Sequence, residues 1–128
     1  MSHITELTLE CTTREFCLPE VTLPVEKYRI ELKRAYHERK SLNGVYALTE
    51  GAGLCRLELW GRQRQSDDES LASILGNYQY DGTTFVFSFA GVSMQGVIIE
   101  DFVVEETCDS DVRNVYICFT GEYRRRAI

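Results

Sequence analysis

The acid pairs Asp67-Asp68, Glu100-Asp101 and Glu105-Glu106 are groups in this 128-residue chain whose type could do general acid–base work. Adjacent strand residues point to opposite faces, so the last two pairs are poorly placed to act on one substrate atom. Asp67-Asp68 is accounted for by helix capping. His37 is the one central histidine, expected as a solvated residue where a basic strand meets a loop. No nucleophile, base and charge-stabilising group come together in sequence, so no catalytic residue is assigned and no enzyme is expected.

The five cysteines, Cys11, Cys17, Cys55, Cys108 and Cys118, are odd in number and form no CxxC. With only His3 and His37 as imidazole partners they lack zinc spacing, and they read as buried thiols of a reducing compartment. No metal or cofactor is implied. Phosphate-cradling signatures are missing too: "EGAG" has no following helix and lysine of the P-loop kind, and no GxGxxG occurs. Arg124–Arg126 could touch phosphate, but a net charge of −6 gives non-specific attraction to nucleic acid little to work with. Trp60 and the tyrosines are spread through strand patterns, as sheet residues usually are.

The elements that must position these residues are mostly strands. "YRIELKRAYH" (28–37) alternates, with Tyr28, Ile30, Leu32 and Tyr36 against Arg29, Glu31 and Lys33. A loop "ERKSLNGV" turning at Asn43-Gly44, a strand at 45–49, the turn "EGAG" and the strand "LCRLELWGRQ" complete a first antiparallel meander. Next, Ser66 and Glu69 form a capping box. Leu71, Ile74, Leu75 and Tyr78 make one apolar stripe, and Gly76-Asn77 supplies a stop, which predicts a helix over about 67–76. A second meander follows: Phe85, Phe87 and Phe89 face one way, Ala90-Gly91 turns the chain, and "VSMQGVIIEDFVVEE" bends at Gly96. A turn at "TCDSD" leads to "RNVYICFTGEY", with Val115, Ile117 and Phe119 opposite Tyr116, Cys118 and Thr120.

The expected fold is therefore mostly β, two antiparallel sheets forming a sandwich or barrel, with one helix between two three-strand meanders. Residues 1–27 are taken as an N-terminal strand and extended arm, and 28–128 as the sandwich or barrel, one domain overall. Pro19 and Pro24 keep 11–26 extended, as an arm or as an edge strand tucked onto the domain. The longest apolar runs are far too short for a membrane span. The N-terminus lacks a basic n-region and an apolar h-region, so cytosolic assembly is expected.

Charge is unevenly distributed: six Lys/Arg against three Glu from Glu26 to Lys40, and six acids with no base from Glu100 to Asp111. Head-to-tail self-association requires such complementary surfaces. In "GVIIEDFVVEE" apolar groups fall on both strand faces, so one face fills the core and the other needs a cover, from the helix or from a neighbouring subunit.

The element order, the early basic hairpin loop, and the closing pattern "GTTFVFSFAGVSMQGVIIEDFVVEE…VYICFTGEY" resemble the tail-tube superfamily over about residues 28–123. That superfamily comprises tube and related tail proteins of tailed phages, contractile bacteriocins and the haemolysin-coregulated protein of type VI secretion. The resemblance implies hexameric rings stacking into a hollow tube, with strands lining the lumen, the helix outside, and a hairpin or arm reaching the next ring. Partners would be copies of this chain and other tail-complex proteins, with no sequence-specific nucleic acid and no membrane, and the particle a virion or tail-like assembly. Glu100, Asp101, Glu105 and Glu106 would line an acidic lumen. Lys33, Arg34, Arg39 and Lys40 would form the ring-to-ring contact. The cysteines and the segment 11–26 depart from that pattern, leaving tube, initiator, adaptor and terminator all open. The alternative is a small intracellular β-barrel holding an apolar ligand between Phe85, Phe87, Phe89 and Met94. An acidic inhibitor of a basic toxin is compatible with the charge alone.

Overall fold

The computed structural model describes residues 6–34, 38–41, 44–47, 52–64, 71–106 and 111–124. In chain order they form β1 (Glu6–Thr8), β2 (Glu15–Cys17), β3 (Thr22–Arg34), β4 (Glu38–Ser41), β5 (Gly44–Ala47), β6 (Ala52–Arg64), α1 (Leu71–Asp81), β7 (Thr84–Phe89), β8 (Val92–Glu106) and β9 (Val112–Arg124). Seven strands make one curled, mixed sheet in the order β1-β7-β8-β9-β6-β3-β2, a half-barrel.

The expectation of two antiparallel sheets is thus corrected. The reason lies in β9, the last strand in sequence but a middle strand of the sheet. It pairs with β6 from Ala52↔Arg124 to Arg64↔Val112 and with β8 from Met94↔Tyr123 to Glu106↔Arg113. Both halves are thereby joined into one ladder. Parallel pairing of β1 with β7 makes the sheet mixed.

The first meander also differs from expectation. β3 pairs directly with β6, while β4 and β5 pair only with each other, from Glu38↔Ala47 to Ser41↔Gly44. The stretch read as the loop "ERKSLNGV" is therefore largely strand, a separate two-stranded ribbon inserted between β3 and β6. Residues 35–37 with His37, and 42–43 with the turn residue Asn43, lie outside the described residues. Segment 11–26, left open between arm and edge strand, supplies the sheet's edge strand β2 and the start of β3. Pro24 falls where β3 meets β2, before pairing with β6 begins at Val25↔Gly61, so no ladder donor is lost there. Phe16 on β2 is fully buried. Its ring lies 5.2 Å from Phe87, 6.2 Å from Phe89 and 4.8 Å from Phe119, closing the mouth of the half-barrel.

Helix α1 buries Leu71, Ile74 and Leu75, three members of the predicted stripe. Its stop is corrected: the helix runs through Gly76-Asn77 to Asp81. The termination signal is Gly82, at φ 67°, where the Gly82 N–H donates to the Gln79 carbonyl and the Thr83 N–H to that of Tyr78, a Schellman closure. Ser66 and Glu69, the expected capping box, lie outside the described residues, as do Asp67, Asp68, Cys108 and the turn at 107–110. Ala90 and Gly91 turn the chain at φ 52° and 80°, and Gly96 at φ 58° accompanies a register shift in β8. The core joins Phe85, Phe87, Phe89, Met94, Val97, Leu57, Leu59, Ile117 and Phe119 to the buried face of α1.

Candidate functional surface

Strands β3, β6, β9 and β8 each run for 13 to 15 residues, and their ladders fix which side chains share the sheet face away from the core. Rows cross that outer face in register: Lys27–Trp60–Tyr116–Val103, Arg29–Glu58–Cys118–Asp101, Glu31–Arg56–Thr120–Ile98 and Lys33–Leu54–Glu122–Gln95. Ile98, Val103 and Leu54 are each about half exposed.

Polar contacts tie the rows together. The Tyr116 hydroxyl donates to Glu58 at 2.6 Å, and Arg29 lies 3.7 Å from the other oxygen of that carboxylate. Burial, then this hydrogen bond, raises the Tyr116 phenol well above its ordinary range. Arg56 Nε donates to Cys118 Sγ at 3.2 Å and sits 4.0 Å from Glu100, which also accepts from Cys118 Sγ at 3.4 Å. Cys118 is buried although it faces outward, because these charged side chains arch over it, and desolvation raises its thiol pKa. Lys27 lies 4.6 Å over the Trp60 ring, itself 5.2 Å from Tyr116.

Of the expected acidic lining, Glu100 and Asp101 stand together on the outer face. The alternation argument fails here because β8 shifts register between Ile99 and Asp101, so both acids lie over the Cys118 position. Gln79 Nε2 of α1 donates to the Ile99 and Glu100 carbonyls at 3.3 and 3.2 Å, satisfying backbone that the bulge frees. Glu105 shares the outer face, opposite Asn114. Glu106 does not: it pairs with the buried Arg113 at 3.0 Å on the core side.

Among the expected basic residues, Lys33 lies 3.8 Å from Glu31 and lines a shallow pocket of about 190 Å3 with Arg56, Glu100, Leu54 and Thr120. Basic and acidic candidates therefore meet on one face within a single subunit. Arg34 ends β3 opposite Gly53, and Arg39 and Lys40 oppose Tyr46 and Val45 in the separate ribbon. Arg56, Glu58, Tyr116 and Cys118 were not singled out from sequence as site residues. Their alternation was visible, but the β6–β9 register that assembles them was not.

The two flanks of this four-strand face differ in charge. Outward on β3 stand Lys27, Arg29 and Lys33 with Glu31, and outward on β8 stand Glu100, Asp101 and Glu105. Among the described pairings, β2 covers β3 only at Thr22–Pro24, and β7 covers β8 only as far as Val97. Beyond those stretches no described strand pairs with the outer side of β3 or β8, although Gln79 of α1 reaches the Ile99 and Glu100 carbonyls of β8; the β3 flank is mainly basic and the β8 flank acidic.

Among the described residues, no three His, Cys, Asp or Glu side chains gather to hold a metal ion, and no helix is long and apolar enough to cross a membrane. Compared with known proteins, the sequence matches no family model, and no curated protein is significantly similar to it.

Proposed function

We propose that this chain is a structural, self-associating subunit of a phage-tail-like tube or tail complex, forming rings through complementary basic and acidic surfaces. One observation carries the reading: the two flanks of the four-strand face are opposite in charge, and among the described residues no strand pairs with the outer side of β3 beyond Pro24 or of β8 beyond Val97. Because β3 and β8 run antiparallel to one another across that face, the β3 edge of one copy can add to the β8 edge of the next as an antiparallel neighbour. Such a head-to-tail contact is heterologous, so repetition closes a ring or continues as a filament. In a ring built this way α1 lies on one side of the wall and the outer rows on the other. Ile98, Val103 and Leu54 find partial cover at the seams. The outer rows carry both signs of charge, so the wall face is mixed rather than uniformly acidic, with Glu100 already answered by Arg56. The β4–β5 ribbon, outside the main sheet, is the segment free to reach a neighbouring ring.

The apolar-ligand barrel is the weaker reading. Phe85, Phe87, Phe89 and Met94 do turn inward, but Phe16 and Phe119 pack among the phenylalanine rings at centroid distances of 4.8 to 6.2 Å. Rings packed on one another in this way leave less room between them for a ligand.

Charge exchange tests the contact. Arg29→Glu with Lys33→Glu, or Asp101→Lys with Glu105→Lys, each weakens self-association measured by sedimentation. An equimolar mixture of the two variants recovers it by pairing across unlike copies. Failure of the mixture to recover assembly, with both variants folded, removes the edge-to-edge contact.

A further inference from the structure

Cys11 and Cys17 are six residues apart and both half-buried, and the thiol of Cys11 rests on the backbone of Cys17. Cys11 Sγ accepts from the Cys17 N–H at 3.1 Å and donates to the Cys17 carbonyl at 3.5 Å, which brings the Cys11 sulfur onto the backbone that carries the Cys17 side chain. The chain between them is already closed into a compact turn. The Thr12 N–H donates to the Glu15 carbonyl at 2.9 Å, and the Thr12 hydroxyl accepts from the Arg14 and Glu15 N–H groups. Immediately beside Cys17 is Phe16, the ring that closes the half-barrel. Cys11 also lines an open surface groove of about 610 Å3 between the end of β1 and strands β7 and β8, so a small reagent can reach it. Cys55 and Cys118, by contrast, are buried.

We propose that Cys11 and Cys17 are a modification site: the disulfide of a low-molecular-weight thiol, such as glutathione disulfide, oxidises them to an intrachain disulfide that fastens the Phe16 turn in place. One cysteine, as its thiolate, attacks a sulfur of glutathione disulfide, forming a mixed disulfide and expelling one glutathione thiolate. The other cysteine thiolate then attacks the protein sulfur of that mixed disulfide and expels the second glutathione. Two protein thiols become one disulfide, glutathione disulfide is reduced to two glutathione thiols, and the two protons pass from the cysteines to them. Burial holds the Cys11 thiol up at about 11, so the exchange is slow at neutral pH and quickens as pH rises. A closed turn costs the unfolded chain freedom, so the oxidised protein is the harder to unfold.

Arg14 lies between the two cysteines, which makes the test direct. The native reduced protein is incubated with glutathione disulfide at pH 8.5, alkylated with iodoacetamide, digested with trypsin and mapped by mass. The expected product has lost the mass of two hydrogens. Peptides cut apart at Arg14 stay joined until dithiothreitol is added, and the thermal midpoint rises by a few degrees and falls back on reduction. Cys17→Ser, if folded, loses both the link and the reversible rise. A stable glutathione adduct on Cys11 or Cys17, a disulfide between other cysteines, or full alkylation of both after exposure overturns the proposal. So does a link that leaves the midpoint unchanged.

Discussion

Two glycines at close quarters show how much depends on single atoms. A Cβ on Gly121 of β9 would meet Val97 Cγ2 at 2.7 Å and Val97 Cα at 2.9 Å, in the bulged part of β8 where neither can yield freely. Gly121→Ala is expected to cost about 1–3 kcal/mol, read as a lowered urea midpoint with an unchanged slope. At Gly76, inside α1, a Cβ would touch only the Phe102 ring at 3.9 Å, an ordinary contact. Gly76→Ala should therefore stabilise by about 0.5–1 kcal/mol through helix propensity, and a loss of stability there would contradict the placement of α1 over β8. Titration offers a second residue-scale test. Burial pushes the Cys55 thiol from an ordinary 9.0 up to about 11, does the same for Cys11 in the reduced chain, and raises Tyr116. The folded chain then holds protons that the unfolded chain has released. Stability from these groups is whole below pH 9 and declines as pH climbs from 9 to 11. A urea midpoint that stays level across that window would show the thiols are not buried as described.

At the scale of elements, the stripe Leu71, Ile74, Leu75 and the row Phe85, Phe87, Phe89 could be read from periodicity, because local spacing decides which residues share a face. Ile74→Asp places a charge in the core and is expected to leave the chain unfolded by circular dichroism and proteolysis; a soluble, protease-resistant variant would contradict the helix's position. Phe16→Ala should cost about 3–5 kcal/mol, since three aromatic neighbours lose their partner. That second expectation was not legible in the sequence. The segment around Phe16 has no period, and its importance comes from folding back into the mouth of a half-barrel formed much later in the chain. The end of the helix departs from its local signal for a related reason. Gly76-Asn77 resembles a terminator locally, yet the helix runs through both residues, and the left-handed turn falls to Gly82. The merging of two meanders into one sheet was hidden because it depends on β9 choosing both β6 and β8, and no short-range signal records that choice.

For the whole molecule, the same choice of neighbours turns scattered charges into a surface. The basic stretch up to Lys40 and the acidic stretch from Glu100 stand out in the sequence as complementary ends. Folding lays four strands side by side, so Lys33 and Glu100 share a pocket while the flanks at β3 and β8 keep opposite signs. Whether a candidate charge faces out was legible for Lys33 and Arg29, which alternate regularly. It was not legible for Glu100, moved by a bulge, nor for Glu106, drawn to the buried Arg113. Attraction between the flanks is screened by salt, so assembly should weaken as ionic strength rises, and Lys33→Glu with Arg34→Glu should weaken it further at low salt. The most direct test of self-assembly is the mass of the purified protein in solution, by light scattering after size exclusion over a range of concentration and salt, with negative-stain images of each fraction. The account predicts masses at whole-number multiples of the monomer at low salt, with rings or tubes in the images and dissociation as salt increases; a monomer at every concentration and every salt would contradict it.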